Sequence, residues 1–147
     1  MIEYRDSLDG IKPEMLQGFF VGWKTPHTPE RHLEILKNSD HMLLAVDTDE
    51  NQAVGFITAL SDNIQAAFIP MLEVLPEYQG RGIGTELTRM MLETVDHIQA
   101  IDLTCDKHLQ PFYEKFGMLK SVGMVIRKYL KDQAGQEHPS RDREVRE

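Results

Sequence analysis

The stretch Pro76–Leu87, "PEYQGRGIGTEL", sets Gly80, Gly82 and Gly84 at alternate positions directly ahead of a segment with helical apolar spacing. Ile83, Leu87, Met90, Met91, Val95 and Ile98 recur on one face, with Glu86, Arg89, Glu93 and Asp96 on the other. A helix is therefore expected here, entered through a glycine turn. Such a turn can use glycine for its backbone angles alone. It can also be an anion cradle, because backbone N–H groups unobstructed by side chains converge at a helix N-terminus whose dipole favours negative charge.

Three cradles are separable by spacing. The phosphate loop of nucleotide hydrolases needs Lys and then Ser or Thr after its last glycine, but Gly84 is followed by Thr85 and Glu86, which excludes it. The dinucleotide fingerprint needs a third glycine where this chain has Thr85. Asp106, at the end of the next strand, falls about where a ribose-binding acid would, yet "PEYQ" separates strand from glycine and too little chain precedes the motif for a doubly wound sheet. The third cradle, for the pyrophosphate of coenzyme A, fits the three glycines, the charge of Arg81 between them and the preceding Gln79.

Composition narrows the setting. The 147 residues, 41% of them hydrophobic, are enough for one domain with a real core. A formal net charge of -8 argues against a nucleic-acid footprint. The single Cys105 cannot form an internal disulfide, the opening "MIEYRDSLDG" has no signal-peptide pattern, and no apolar run reaches membrane-spanning length. The expectation is a cytoplasmic protein with no membrane or nucleic-acid partner.

Working outward, "IEYRDS" reads as a strand and "KPEMLQGFFVGW" as a helix opened by Pro13, with Met15, Leu16, Phe19, Phe20 and Trp23 on one face and Gly18 and Gly22 weakening it. "HTPERHLEILK" is a second helix with Thr28 as N-cap and Pro29 in its first turn. "HMLLAVD", "AVGFITAL" and "NIQAAFIPMLEVL" are three consecutive strands joined by polar turns; Pro70 marks an edge, a bulge or a lapse in pairing. After the long helix come a strand "AIDLTC", a short helix "HLQPFYEKFGM" ended by Gly117, and a final strand "SVGMVIRKY". Residues 1–130 form one domain in this reading, and residues 131–147 are a charged tail expected to be disordered.

The string "VLPEYQGRGIGTELTRMML" resembles the signature of the GNAT superfamily of N-acetyltransferases, Gln/Arg-x-x-Gly-x-Gly/Ala, on Gln79, Gly82 and Gly84. "DLTCDKHLQPFYEKFGM" is similar to that superfamily's second cofactor element, a short tyrosine-bearing helix closed by glycine. The resemblance runs from about Ile2 to Tyr129. It implies an α/β (α+β) fold with a mixed, mainly antiparallel sheet flanked by helices and splayed between its fourth and fifth strands. By the same resemblance, Gln79, Gly80, Arg81, Gly82, Ile83, Gly84 and Thr85 hold the pyrophosphate, the backbone of Leu72, Val74 and Leu75 pairs with the pantetheine arm, and Asp106 and Phe112 belong to the second element. The implied activity is acetyl transfer from acetyl-CoA to a primary amine by direct attack in a ternary complex, on a small-molecule or peptide acceptor. A homodimer is compatible. The alternative is a non-catalytic acyl-CoA-binding sensor or regulatory module.

Acetyl transfer needs a deprotonated amine, an oxyanion donor and help for the departing thiolate. Tyr113, at the tyrosine position of the second element, is the leaving-group candidate. A phenol pKa of about 10 against about 8.5 for a thiol makes full proton transfer uphill by roughly 2 kcal/mol, so a hydrogen bond to the thiolate is its expected contribution. Beside Phe112 and Phe116 it also reads as an ordinary core tyrosine. Glu73 lies in "MLEVL", where an unpaired charge would cost several kcal/mol, so it faces a cavity, finds a partner or ionises less readily than usual. It is the general-base candidate, with a paired structural role as the other reading and an ordered water as the other base. Asp106 reads equally as a helix N-cap. The six histidines show no ligand spacing, so no metal is expected. By the resemblance, Trp23 and "KTPHTP" fall in the region that lines the acceptor side in the superfamily, and they read equally as a staple of the first two helices.

Overall fold

A computed structural model describes residues 1–130. Its regular elements are β1 (Ile2–Arg5), α1 (Pro29–Asn38), β2 (His41–Asp47), β3 (Gln52–Ser61), β4 (Ala66–Val74), α2 (Ile83–Thr94), β5 (Ala100–Asp102) and α3 (Gln110–Glu114), with 3-10 turns at Pro13–Leu16, Pro76–Tyr78, Lys107–Leu109 and Lys128–Leu130. The strands form one sheet in the order β1-β2-β3-β4-β5. Pairing is antiparallel from β1 to β4 and parallel between β4 and β5.

The inner strands β2 and β3 are apolar on both faces because both faces are covered. On one side α2 comes so close that a Cβ at Gly55 would lie 3.1 Å from Leu87 and 3.2 Å from Ile83. On the other, the neighbouring Phe56 meets Phe19, Phe20 and His32, carried by the 13–24 segment and α1. Residues that α2 turns inward, Ile83, Leu87, Met91 and then Val95 and Ile98, are buried, while Arg89 on its outer face pairs with Glu86 and Glu93. Thr28 caps α1 by accepting the Arg31 N–H at 3.1 Å.

The splay begins at Pro70. β4 pairs with β5 only through Ala66↔Ala100, Ala67↔Ile101 and Phe68↔Asp102. From Met71 to Val74 it continues beside β3 with no β5 residue in register. The β3–β4 ladder slips between Thr58 and Leu60, opposite Ile69 and Pro70, where the missing proline N–H breaks the pairing.

Three sequence expectations need correction. The helix read over Pro13–Trp23 is a single 3-10 turn, Pro13–Leu16, followed by irregular chain. Gly18, Phe20 and Gly22 all adopt positive φ (90°, 65° and 82°), which no right-handed helix accommodates. Met15, Leu16, Phe19 and Phe20 are nonetheless buried, so the apolar positions were right and the period was not. The strand read over "AIDLTC" stops at Asp102. The final strand over Ser121–Tyr129 joins no ladder among the described residues; residues 118–127 have no assigned regular structure. The tail, residues 131–147, lies outside the described residues.

Candidate active site

The exit from β4 builds one wall. Leu75 donates its N–H to Val54 O at 2.8 Å, and its carbonyl accepts from Tyr78 N at 2.9 Å, so both of its backbone groups are engaged within the protein. Antiparallel alternation then turns the N–H and C=O of Val74 and Leu72 away from β3, toward the side that β5 has left. The Val74 carbonyl there accepts from Gln79 Nε2 at 3.0 Å, which ties the glycine turn to the end of the strand.

The turn itself presents donors. Gly80 and Gly82 adopt φ of +80° and +83°, and a Cβ at either would meet nothing within 4 Å, so the concave side is open to approach. Gly82 is the N-cap of α2 in a left-handed conformation and provides no side-chain cap. Glu86 N is the first to reach an intrahelical acceptor, Gly82 O at 3.0 Å, which leaves the N–H groups of Ile83, Gly84 and Thr85 ahead of the ladder. Uncapped donors at the positive end of a three-turn helix fit a diphosphate. Gly84 is buried, and its carbonyl accepts the Thr88 hydroxyl at 2.8 Å.

Arg81 is exposed and folds back: Nη2 donates to Glu77 O at 3.2 Å, and the guanidinium sits 4.8 Å from the centre of the Tyr78 ring. Tyr78 donates its hydroxyl to Asp47 Oδ2 at 2.7 Å, and this bond holds the Asp47 carboxyl below the usual carboxylate range. Sequence reasoning missed this buttress. Asp47 ends β2, and nothing local announces that it will meet a tyrosine 31 positions later.

Glu73 lies across from Phe56 and is buried. Both of its carboxylate oxygens accept from Phe20 N at 2.9 Å, and Oε2 also accepts from Val21 N at 3.2 Å. The backbone turn at Phe20 and Val21 is thus a partner of this carboxylate. Around this turn, Phe20 makes edge contacts with Trp23, His27 and His32 at 5.1, 4.9 and 4.9 Å. His32 is fully buried, stands 4.3 Å from Phe56, and has no hydrogen-bond partner at either ring nitrogen among the described residues. Burial first, and then His27, push its pKa down to about 3. This aromatic cluster was legible only as scattered residues; "GFFVGW" and the two histidines were its signal.

The second wall follows β5. Asp106 occupies the N-cap position of the Lys107–Leu109 turn, where its carbonyl accepts from Leu109 N at 2.9 Å and its side chain makes no capping bond. Phe112 and Tyr113 are buried in α3, edge to face at 4.9 Å, with Phe116 5.3 Å from Phe112. Cys105 is half-buried against the core. Leu72, Val74 and the turn from Gln79 to Thr85 therefore form one continuous strand–turn–helix surface, whereas Asp106, Phe112 and Tyr113 come from the far side of the splay.

Residues 8–118 match the model of the acetyltransferase (GNAT) family. This chain belongs to the GNAT family. Among solved structures, a presumed acetyltransferase of Deinococcus radiodurans R1 is 40% identical with a TM-score of 0.84, over 93% of this chain and 94% of that one. A GNAT-family acetyltransferase of Streptococcus pneumoniae TIGR4 is 26% identical with a TM-score of 0.65, over 86% and 96%. The uncharacterized N-acetyltransferase ycf52 of Pyropia yezoensis is 30% identical over 105 residues, which is 68% of this chain. The aligned part spans 59% of that relative's length. GNAT membership places the chain among the acyltransferases and accounts for the splay and the glycine turn together. No helix among the described residues is long and apolar enough to cross a membrane.

Proposed function

We propose that this GNAT protein transfers an acetyl group from acetyl-CoA to a primary amine by direct attack in a ternary complex, in the cytoplasm. The observation that carries the reading is the uncapped N-terminus of α2, with its three N–H donors ahead of the ladder, beside a β4 edge that has lost its β5 partner. Ile83, Gly84 and Thr85 would hold the diphosphate through backbone N–H groups, with Gly80 and Gly82 allowing its approach and Arg81 adding charge. Leu72 and Val74 would pair with the amide-bearing arm as a strand does.

Acetyl-CoA supplies the activated acyl group. Tyr113 donates its hydroxyl hydrogen to the sulfur as negative charge develops there. On the acceptor side, Glu73 fixes the turn through Phe20 N and Val21 N, and that turn carries the aromatic surface of Phe20, Trp23 and His27 against which an amine substrate would pack. Glu73 is also the base in this scheme, taking the amine's proton directly or through one water.

A panel of amines assayed for CoA-thiol release, with wild type and Tyr113→Phe side by side, tests the reading. Turnover with at least one amine is expected, reduced about ten- to a thousandfold in the variant with little change in acetyl-CoA affinity. Acetyl-CoA binding without thiol release for any amine would instead make the chain an acyl-CoA sensor. Unchanged turnover in Tyr113→Phe would return Tyr113 to the core.

A further inference from the structure

Among the side-chain bonds of the described residues, one alone ties the glycine turn to a distant part of the sheet. Gln79, Gly80, Arg81 and Gly82 are exposed, and a Cβ at Gly80 or Gly82 would meet nothing within 4 Å, so packing does not fix this stretch. Glycine backbone is also the most costly to order. Three side-chain bonds restrain the turn instead. Two are local: Gln79 Nε2 donates to Val74 O, five positions back, and Arg81 Nη2 donates to Glu77 O, four positions back. Bonds of that reach shape the turn but travel with it. The third is the Tyr78 hydroxyl on Asp47 Oδ2 at 2.7 Å, across 31 positions.

Asp47 is a firm post for that bond. It is the last residue of β2, in register with Ile2 on β1 and Gln52 on β3. Its side chain is 13% exposed, and its other oxygen accepts Asp49 N at 3.0 Å, which leaves the carboxylate little freedom to follow a moving partner. The bond is charge-assisted, a class roughly twice as strong as bonds between neutral groups. It pushes the Tyr78 phenol above its ordinary value, so the hydroxyl keeps the proton that it donates. The ring that carries this hydroxyl is also the platform for Arg81, whose guanidinium stands 4.8 Å from its centre. One line of contacts thus runs from the end of β2 through Tyr78 to the middle of the glycine turn.

We propose that Asp47, acting through the Tyr78 hydroxyl, is a positioning residue for coenzyme A: it holds the 79–82 backbone in the curvature that receives the diphosphate before the ligand arrives. The inference rests on the acetyl-CoA reading above and adds residues to which that reading gives no part. Neither Asp47 nor Tyr78 is assigned a contact with the diphosphate; they act on the turn that meets it. Binding to a loose turn would subtract the ordering of its residues from affinity, whereas the tie places that cost in folding. The helical half of the cradle needs no such device, because Ile83 and Gly84 are buried in the first turn of α2.

The test is titration calorimetry of coenzyme A on the full chain, with hydrogen exchange of the 79–82 amides in the ligand-free and saturated states. Tyr78→Phe keeps the ring beside Arg81 and removes only the hydroxyl. It should weaken coenzyme A about five- to thirtyfold, the equivalent of ordering one residue's backbone at binding. Exchange at 79–82 should be faster in the ligand-free variant than in the wild type, and the two should agree once coenzyme A saturates them. Asp47→Ala should lose as much affinity as Tyr78→Phe, and the double variant no more than either, because both delete the same bond. Asp47→Asn keeps an acceptor for the hydroxyl and should recover most of the loss. A wild type that binds coenzyme A, with Tyr78→Phe within twofold of it, overturns the inference and leaves the acetyl-CoA reading standing. Additive losses in the double variant, or unchanged exchange at 79–82, overturn it in the same way. A wild type that does not bind coenzyme A overturns both.

Discussion

Two places in this molecule use the same device to opposite ends. At the 17–24 segment, residues with positive φ turn the N–H groups of Phe20 and Val21 onto the carboxylate of Glu73, 53 and 52 positions away. At the turn into α2, glycines with positive φ leave the N–H groups of Ile83, Gly84 and Thr85 ahead of the helix ladder. Both are concavities of backbone donors suited to an anion. In the first the anion belongs to the chain, so the donors build structure and fix the turn that carries Phe20 and Trp23. In the second the donors precede the helix ladder, and the anion proposed for them is a diphosphate from outside the chain. What separates a structural nest from a binding nest is whether the sequence supplies the anion, and a glycine motif alone does not say which.

The comparison breaks most visibly at Glu73. Replacing it by Gln puts an amide nitrogen among donors that need an acceptor, and Glu73→Gln should cost about 2–3 kcal/mol of unfolding free energy, read by chemical denaturation. If Glu73 is also the base, turnover should fall and the acidic limb of the pH–rate profile should disappear; lost stability with normal turnover would leave it the positioning role alone. At the turn into α2, where the proposed anion comes from outside the chain, lost affinity is expected in addition to any lost stability. Gly82→Val forces a β-branched residue to φ +83° and should weaken coenzyme A binding by about tenfold or more in titration calorimetry, a strain of 1–3 kcal/mol being ordinary for such a site.

His32 sharpens the first nest through pH. Its folded pKa of about 3 lies below the ordinary value of 6.5, so between those values the unfolded chain binds a proton that the folded chain refuses. The stability contribution is therefore complete above about pH 6.5 and is lost as pH falls toward 3, at a slope of up to about 1.4 kcal/mol per pH unit. His32→Leu should flatten the difference in melting temperature between pH 7 and pH 5; an unchanged slope would assign that dependence to other groups. The smallest effect is expected from Arg81→Ala. Its guanidinium is exposed and already engaged with Glu77 O and the Tyr78 ring, so coenzyme A affinity should drop only about two- to threefold. A loss equal to that of Gly82→Val would show that side-chain charge, not the backbone cradle, governs binding.

The amino-acid sequence by itself determined everything that depends on neighbours in the chain. The 3.6-residue stripe from Ile83 to Ile98, the Thr28 cap and the extended runs of β2, β3 and β4 were all legible, because each is a local preference reinforced by burial of the same face. So was Pro70 as the place where pairing fails, since a missing N–H is a property of one residue. The 13–24 segment was not legible, because two glycines and a strained phenylalanine are held in place by a carboxylate on β4 and by Phe56 on β3, contacts that no window of sequence contains. The Tyr78–Asp47 buttress and the burial of His32 are tertiary for the same reason. Val122, Met124 and Ile126 mark the remaining boundary: alternation gives them the pattern of a strand, but a strand exists only where another edge accepts its hydrogen bonds, and among the described residues none does.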